Sequence, residues 1–266
     1  MQFNRRDFIK TGGLMLGSFA APAMFGNGKN FSVDSESSLM GFAMEHFGVA
    51  DGDLKKVLSA ALGKGGNYAD LFFEHTFSNN IGLQDGAVNR AYSNIDFGMG
   101  VRVVSGDQTG YAYVENITLE DMLHAARTAA RIANGSGSPA PVDLTEIKVK
   151  NQLYKIKTTW EDVSVKNKMP YLQKINDKMF EADKRVAKVS AWLNDNTSHI
   201  LFCNSEGQYY YDYRPMVIIG AQCIMSDDGR MESNGSSRAL RMGAEFLTDE
   251  LVDTIVKESI ESTSIL

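Results

Sequence analysis

Apolar residues along this chain recur at two different periods, and the changes between them mark out its elements. Leu54, Val57, Leu58, Ala61 and Leu62 fall at i, i+3, i+4, i+7 and i+8, the buried stripe of a helix over about residues 53–62. Gly63, Gly65 and Gly66 stop it. The period then drops to two. Leu71, Phe73, His75 and Phe77 alternate with Phe72, Glu74 and Thr76, as expected of a strand, and Asp85-Gly86 supplies a hairpin turn. Val88 to Ser93, Gly98 to Val104 and Gly110 to Val114 read as further strands, the last two joined by Ser105-Gly106-Asp107. Thr118, with Asp121 three residues on, caps a helix whose apolar face is Leu119, Met122, Leu123, Ala126, Ala130 and Ala133. Asn134-Gly135 ends it, and Gly135 to Pro141 reads as a linker.

The second half repeats this order without repeating the residues. A helix is expected over Met169 to Ala182, turning Leu172, Ile175 and Met179 inward, with Pro170 in its first turn. Strands follow at Val186 to Leu193 and His199 to Cys203, then a turn at Asn204-Ser205-Glu206-Gly207 and a strand from Gln208 to Tyr213. Pro215 is expected to break the chain before Met216 to Met225, which turns at Asp227-Asp228-Gly229. Thr248 caps a closing helix, with Asp249 and Glu250 placed against its N-terminal dipole. The expected class is α+β, two units each built as helix, antiparallel meander, helix.

Composition narrows the function. With 266 residues, 43% of them apolar, the chain can bury a full core, and its net charge of −6 opposes a nucleic-acid surface. Cys203 and Cys223 sit among apolar neighbours and read as buried free thiols. At the front, Asn4-Arg5-Arg6-Asp7-Phe8-Ile9-Lys10 resembles the twin-arginine export signature, followed by a weakly apolar run and the small-x-small Ala21-Pro22-Ala23. That run is too short and Gly-rich to span a bilayer stably. The expected location is therefore the periplasm. The expected organisation is a signal peptide over 1–25, a linker over 26–45, a first unit over 46–135, a linker over 136–160 and a second unit over 161–266.

Residues with catalytic chemistry are present but not in catalytic patterns. Neither HExxH nor HExxxH occurs. His46 and His75 each follow a Glu, 29 positions apart; His75 shares a strand face with Phe73 and Phe77 and reads as a core or interface histidine. His124 belongs to an exposed helix face beside Arg127, and His199 starts a strand. There is no G-x-S-x-G elbow, and Gly98-Met99-Gly100 reads as glycines in a strand where another backbone comes close. Asp227-Asp228 are turn residues, and Tyr209, Tyr210, Tyr211 and Tyr213 clothe both faces of a strand. No catalytic or metal-binding residue is assigned from the sequence, and no substrate-binding residue is identified.

Three stretches carry a resemblance: Tyr68 to Glu74, Ser93 to Val103 with its Asn94-Ile95-Asp96-Phe97-Gly98-Met99-Gly100-Val101-Arg102, and Gly106 to Tyr113. In order and spacing they are similar to the TldD branch of the TldD/PmbA family, zinc metallopeptidases once described as modulators of DNA gyrase. More loosely, the similarity extends through Arg185-Val186, Asn204 to Gly207 and Arg214-Pro215 to the last helix. The resemblance implies the N-terminal portion of such a peptidase, which acts on unfolded or flexible peptides and pairs with a TldD- or PmbA-type subunit. In the family, the zinc motif HExxxH comes after such a helix, in a region followed by a β-rich C-terminal domain. The expectation is a chain without that zinc domain and without a cofactor of its own, inactive alone. The alternative is a non-catalytic binding or assembly subunit. Typical family members are cytosolic, which makes the cytoplasm the alternative location. If a missing domain normally covers these sheets, the isolated chain is expected to be oligomeric or poorly soluble.

Overall fold

A computed structural model describes residues 36–134, 144–147 and 156–265, with side chains from residue 40 onward. The export segment 1–25, the expected linker ahead of residue 36 and the linker Gly135 to Pro141 lie outside the described residues. Where the linker was expected to continue to residue 45, helix α1 (Glu36–Phe47) runs instead. Met40, Ala43 and Phe47, at helical spacing, are buried against the sheet. Helix α2 (Asp51–Leu62) follows, and all five residues of its expected stripe are buried.

Four long strands form the body of one sheet: β1 (Tyr68–Gln84), β2 (Ala87–Ser105), β5 (Val186–Asn204) and β6 (Gln208–Asp227). Shorter strands are β3 (Gln108–Val114), β4 (Thr145–Glu146) and β7 (Arg230–Leu240), and the order is β3-β2-β1-β5-β6-β4 with β7 also on β6. All pairings are antiparallel except β4 on β6. The turn at Asp85-Gly86 has both residues at positive φ, 51° and 78°, the type I′ geometry whose twist matches a hairpin. Helix α3 (Leu119–Ala133) starts on Thr118, whose hydroxyl accepts from the Asp121 N–H, and ends on Asn134 in the left-handed region. Its small apolar face permits a very close approach to β3. A Cβ on Gly110 would lie 1.9 Å from the Ala129 carbonyl oxygen.

Three expected boundaries within strands are absent. The segments 88–93 and 98–104 are one strand, as are 186–193 and 199–203, and as are 208–213 and 216–225. The polar stretches between them stay in the ladder. Pro215 lies opposite Thr197 on β5, and β7 does not join β6 until Val217, so the proline occupies a stretch with one neighbour fewer. Helix α4 (Val165–Ala182) begins a turn earlier than expected, which moves Pro170 beyond the first turn and leaves the Lys166 carbonyl without its intrahelical donor. Helix α5 (Asp249–Ser264) starts on Thr248 as expected.

Period two places alternate residues on opposite faces, and the unbroken register of β1 against β5 carries one face along the whole length. On that face, Leu71, Phe73, Met99, Val101, Leu201 and Cys203 form a core with α1, α2 and α3. At its other end, Ile81, Leu83, Val189, Leu193, Ile219 and Cys223 form a second core with α4 and α5. Between the two cores the same face carries His75, Phe77 and Asn79 on β1, Asp195, Thr197 and His199 on β5, and Tyr211 and Tyr213 on β6. This belt is polar, and it is buried at Asp195, Thr197 and His199. Among the described residues no helix is long and apolar enough to cross a membrane.

Candidate functional site

The belt contains two polar clusters. In the first, Lys168 reaches down from α4 to Asp195, Nζ to Oδ2 2.7 Å, with both side chains 1% exposed. Asn79 Nδ2 donates to the other carboxylate oxygen at 2.9 Å, and the ammonium lies 5.3 Å from the centre of the Trp160 ring. The positive charge is matched by one negative charge, and further hydrogen bonding occupies the carboxylate. These are the conditions under which a buried pair persists.

The second cluster gathers three of the four histidines. His46 comes from α1, His75 from β1 and His199 from β5. His46 Nε2 and His75 Nδ1 are 2.9 Å apart, one donating and the other accepting. The His46 and His199 rings stack at 4.3 Å between centroids. His199 is tied on both sides, with Nε2 2.9 Å from Glu161 Oε1 and Nδ1 2.6 Å from the Tyr211 hydroxyl. A carboxylate only accepts, so Nε2 carries the hydrogen that faces Glu161. Tyr213 donates to the second oxygen of Glu161 at 3.4 Å. Phe42 on α1 packs against His199, His46 and Tyr211.

Electrostatics follows from this enclosure. Burial, then the neighbouring His199 and His75, lowers the His46 pKa to about 3. His75 is lowered in the same way, by burial first and His199 second, with Glu161 opposing. Burial pushes the phenols of Tyr211 and Tyr213 well above the usual tyrosine range. Tyr211, His199 and Glu161 are connected as hydroxyl, imidazole and carboxylate, the order of a nucleophile relay. Burial holds the phenol in its neutral form. The stacked rings of His46 and His199 direct their in-plane lone pairs side by side. Among the described residues no group of three or more His, Cys, Asp or Glu could hold a metal ion. The cluster ties α1 to the sheet through the His46–His75 hydrogen bond and the stack of His46 on His199.

The sequence placed some of these residues correctly. His75 shares the face of Phe73 and Phe77, and His124 is exposed on α3 away from the cluster. Cys203 and Cys223 are buried and free. Tyr209 and Tyr211 pack on the first core, whereas Tyr210 stacks on Phe202 on the opposite face. A Cβ on Gly98 would meet the Val114 carbonyl oxygen at 2.5 Å, the expected close backbone. At Gly100 the neighbour is instead the Tyr111 ring. Asp227-Asp228 form the expected turn, with Asp228 at positive φ. His199 lies within β5 instead of starting a strand. Glu161, Lys168 and Asp195 were not anticipated. A signal existed for two of them. Lys168 interrupts the apolar spacing of Leu172 and Ile175 at i−4 and i−7, and Asp195 continues the alternation of Ala191 and Leu193.

Comparison with known proteins agrees with this fold. The sequence profile of PmbA/TldA metallopeptidase domain 1 matches residues 69–133, and that of the PmbA/TldA metallopeptidase central domain matches residues 158–266. The metalloprotease TldD homolog of Haemophilus influenzae is 28% identical over 189 residues, covering 70% of this chain and 39% of that protein. A TldD homolog from Buchnera aphidicola is 27% identical, covering 69% and 38%. The chain therefore spans about two fifths of the length of these relatives. Among solved structures, a protein described as a modulator of DNA gyrase from Thermotoga maritima superposes with TM-score 0.63 at 18% identity, over 81% of this chain and 48% of that one. TldE from Thermococcus kodakarensis gives 0.57 at 15%, over 80% and 47%. With two profiles of one family matched in order across most of its length, the chain belongs to the PmbA/TldD metallopeptidase family.

Proposed function

We propose that this chain forms the N-terminal and central part of a TldD-like metallopeptidase acting on unfolded or flexible peptides, and that it does not cleave peptides alone. The observation that carries this reading is the ordered match to the first and central family domains, in a sequence without HExxxH. The zinc-bearing part would then come from polypeptide outside this sequence. A second reading, a non-catalytic assembly subunit for a full-length TldD- or PmbA-type protein, is favoured by the outer edge of β2. Among the described residues, 87–98 have no strand beyond them, because β3 pairs only with Met99 to Ser105, and Val88, Tyr92 and Ile95 are exposed there. The Arg5-Arg6 segment supports export to the periplasm as part of either reading.

The deciding experiment measures zinc content and cleavage of unfolded casein for the purified chain, alone and mixed with a full-length TldD- or PmbA-type subunit. The first reading expects neither zinc nor cleavage from the chain alone. Chelator-sensitive cleavage by the chain alone overturns it. The second reading expects a stoichiometric complex on size-exclusion chromatography, and co-elution that never exceeds chance removes it. For export, the expected result is a mature periplasmic chain beginning near Met24; an intact N-terminus in the cytoplasm contradicts it.

A further inference from the structure

The face of the sheet opposite the helices carries a feature that neither the family match nor the histidine cluster uses. Trp192 on β5 stands directly between two glycines, Gly82 on β1 and Gly220 on β6. Its indole leans over Gly220, where an added Cβ would sit 2.8 Å from Cζ2. On the other side the register shift between Gly82 and Leu83 turns Asn89 over Gly82, its Oδ1 2.8 Å from where a Cβ would be. Glycine at both positions is what allows a large ring and an amide to lie along the sheet.

Two grooves flank the indole. One, of about 370 Å³, is lined by Asn80, Asn89, Arg90, Asn194 and Gln222 among others. The other, of about 270 Å³, runs between Trp192, Gln222 and the serines of β7. Among the described residues, Arg90 is the one charged side chain lining either groove. Asn194 Oδ1 is buried and has no hydrogen-bond partner within the protein. Gln222 is held by donating Nε2 to Ser233 Oγ at 2.7 Å, which leaves its carbonyl oxygen available.

We propose that this face is a saccharide-binding site, in which a neutral oligosaccharide crosses the Trp192 indole and extends into both grooves. Sugar hydroxyls are donors and acceptors at once, and so are the amides and hydroxyls of these walls. The C–H face of a pyranose matches the electron-rich face of the ring. A concave site with one aromatic platform and a few oriented polar groups is the usual form of a small-ligand site. An extended peptide fits less well. The strands beneath the indole are paired on both sides, β1 by β2 and β5, β5 by β1 and β6, and β6 by β5 and β7, so a peptide could add as a strand only at the outer edges of β2 and β7, away from the ring. Charged lining is confined to Arg90 among the described residues, which gives charged peptide side chains little to recognise.

The test titrates the full chain with maltohexaose, cellohexaose and chitohexaose, reading tryptophan fluorescence. Trp192 reports on the grooves, and the other tryptophan, Trp160, is buried. Saturable quenching by at least one sugar is expected, weakened at least tenfold in Asn194→Ala; for Trp192→Ala, which removes the reporter, titration calorimetry is expected to show the same loss. Gln222→Ala, an exposed substitution that leaves the fold intact, is expected to weaken binding as well. No saturable change with any of the three sugars at about 10 mM, a concentration that fills even millimolar sites, overturns the proposal. So does binding of an unfolded peptide to the same site in place of sugar, or sugar binding that survives all three substitutions.

Discussion

The two polar clusters of the belt share one face of one sheet, yet one is held by opposite charges and the other by a hydrogen bond between imidazoles. Lys168 and Asp195 hold opposite charges at 2.7 Å, each the other's counter-ion. His46 and His75 hold each other through a hydrogen bond between neutral rings, and the single carboxylate nearby is committed to His199. The first cluster is stable because it is charged, the second because it is not. Burial alone does not determine how a polar group behaves; the presence of a partner that accepts its charge does.

Separating the partners tests the comparison most severely. Asp195→Ala leaves the Lys168 ammonium buried without a counter-ion, and a loss of about 3–5 kcal/mol is expected in urea unfolding. The double substitution Lys168→Met with Asp195→Leu should recover most of it. If the single and double variants are equally destabilised, the pair is not what holds α4 to the belt.

Acid should act on the histidines with a smaller effect. Free histidine titrates near 6.5, and the folded-state values of His46 and His75 lie below that. Below about pH 6.5 the unfolded chain therefore takes up protons that the folded chain refuses. Stability is full above that pH and falls as pH drops toward the folded-state values, about 3 for His46. The slope is at most about 1.4 kcal/mol per pH unit for each histidine, and less in practice because both rings are partly open to solvent. Urea midpoints at pH 7 and pH 5 measure it, and His46→Phe should flatten the dependence. A pH profile unchanged by that substitution would move the effect elsewhere.

The smallest effect supplies the baseline. Lys174 and Asp249 make a 2.7 Å pair between α4 and α5, but both are largely exposed. Lys174→Ala is expected to cost far less than Asp195→Ala and to respond to salt. A cost equal to that of Asp195→Ala would mean that distance, not burial and desolvation, sets the value of a pair here.

Much of the fold was legible because periodicity is written locally. The α2 stripe, the Asp85-Gly86 turn and the Thr118 and Thr248 caps each depend on residues within a few positions of one another. The strand breaks were misjudged for the opposite reason. Asn94 to Asp96 and Asn194 to Ser198 look like loops locally, but their backbones are held by strands distant in sequence. Helix α1 was hidden by the Gly/Asn/Ser composition before it, and β7 by having almost no apolar alternation. The histidine cluster was illegible for the same reason. His46, His75 and His199 meet because of the register of β1 on β5 and the docking of α1, and no spacing rule joins those positions.

The pairing of β1 with β5 also sets a schedule for synthesis. The seam between the first and central family domains is a strand pair in the middle of the sheet, where Asn79 meets Asp195 across 116 residues. A ribosome adding 5–20 residues per second delivers β5 on the order of ten seconds after β1. Until then the β1–β2 hairpin presents a long open edge with apolar residues beside it, and non-local pairings of this kind form slowly. The early half of this chain must wait for the late half, so a break between them leaves the inner edge of β1 unpaired and the first core without Leu201 and Cys203.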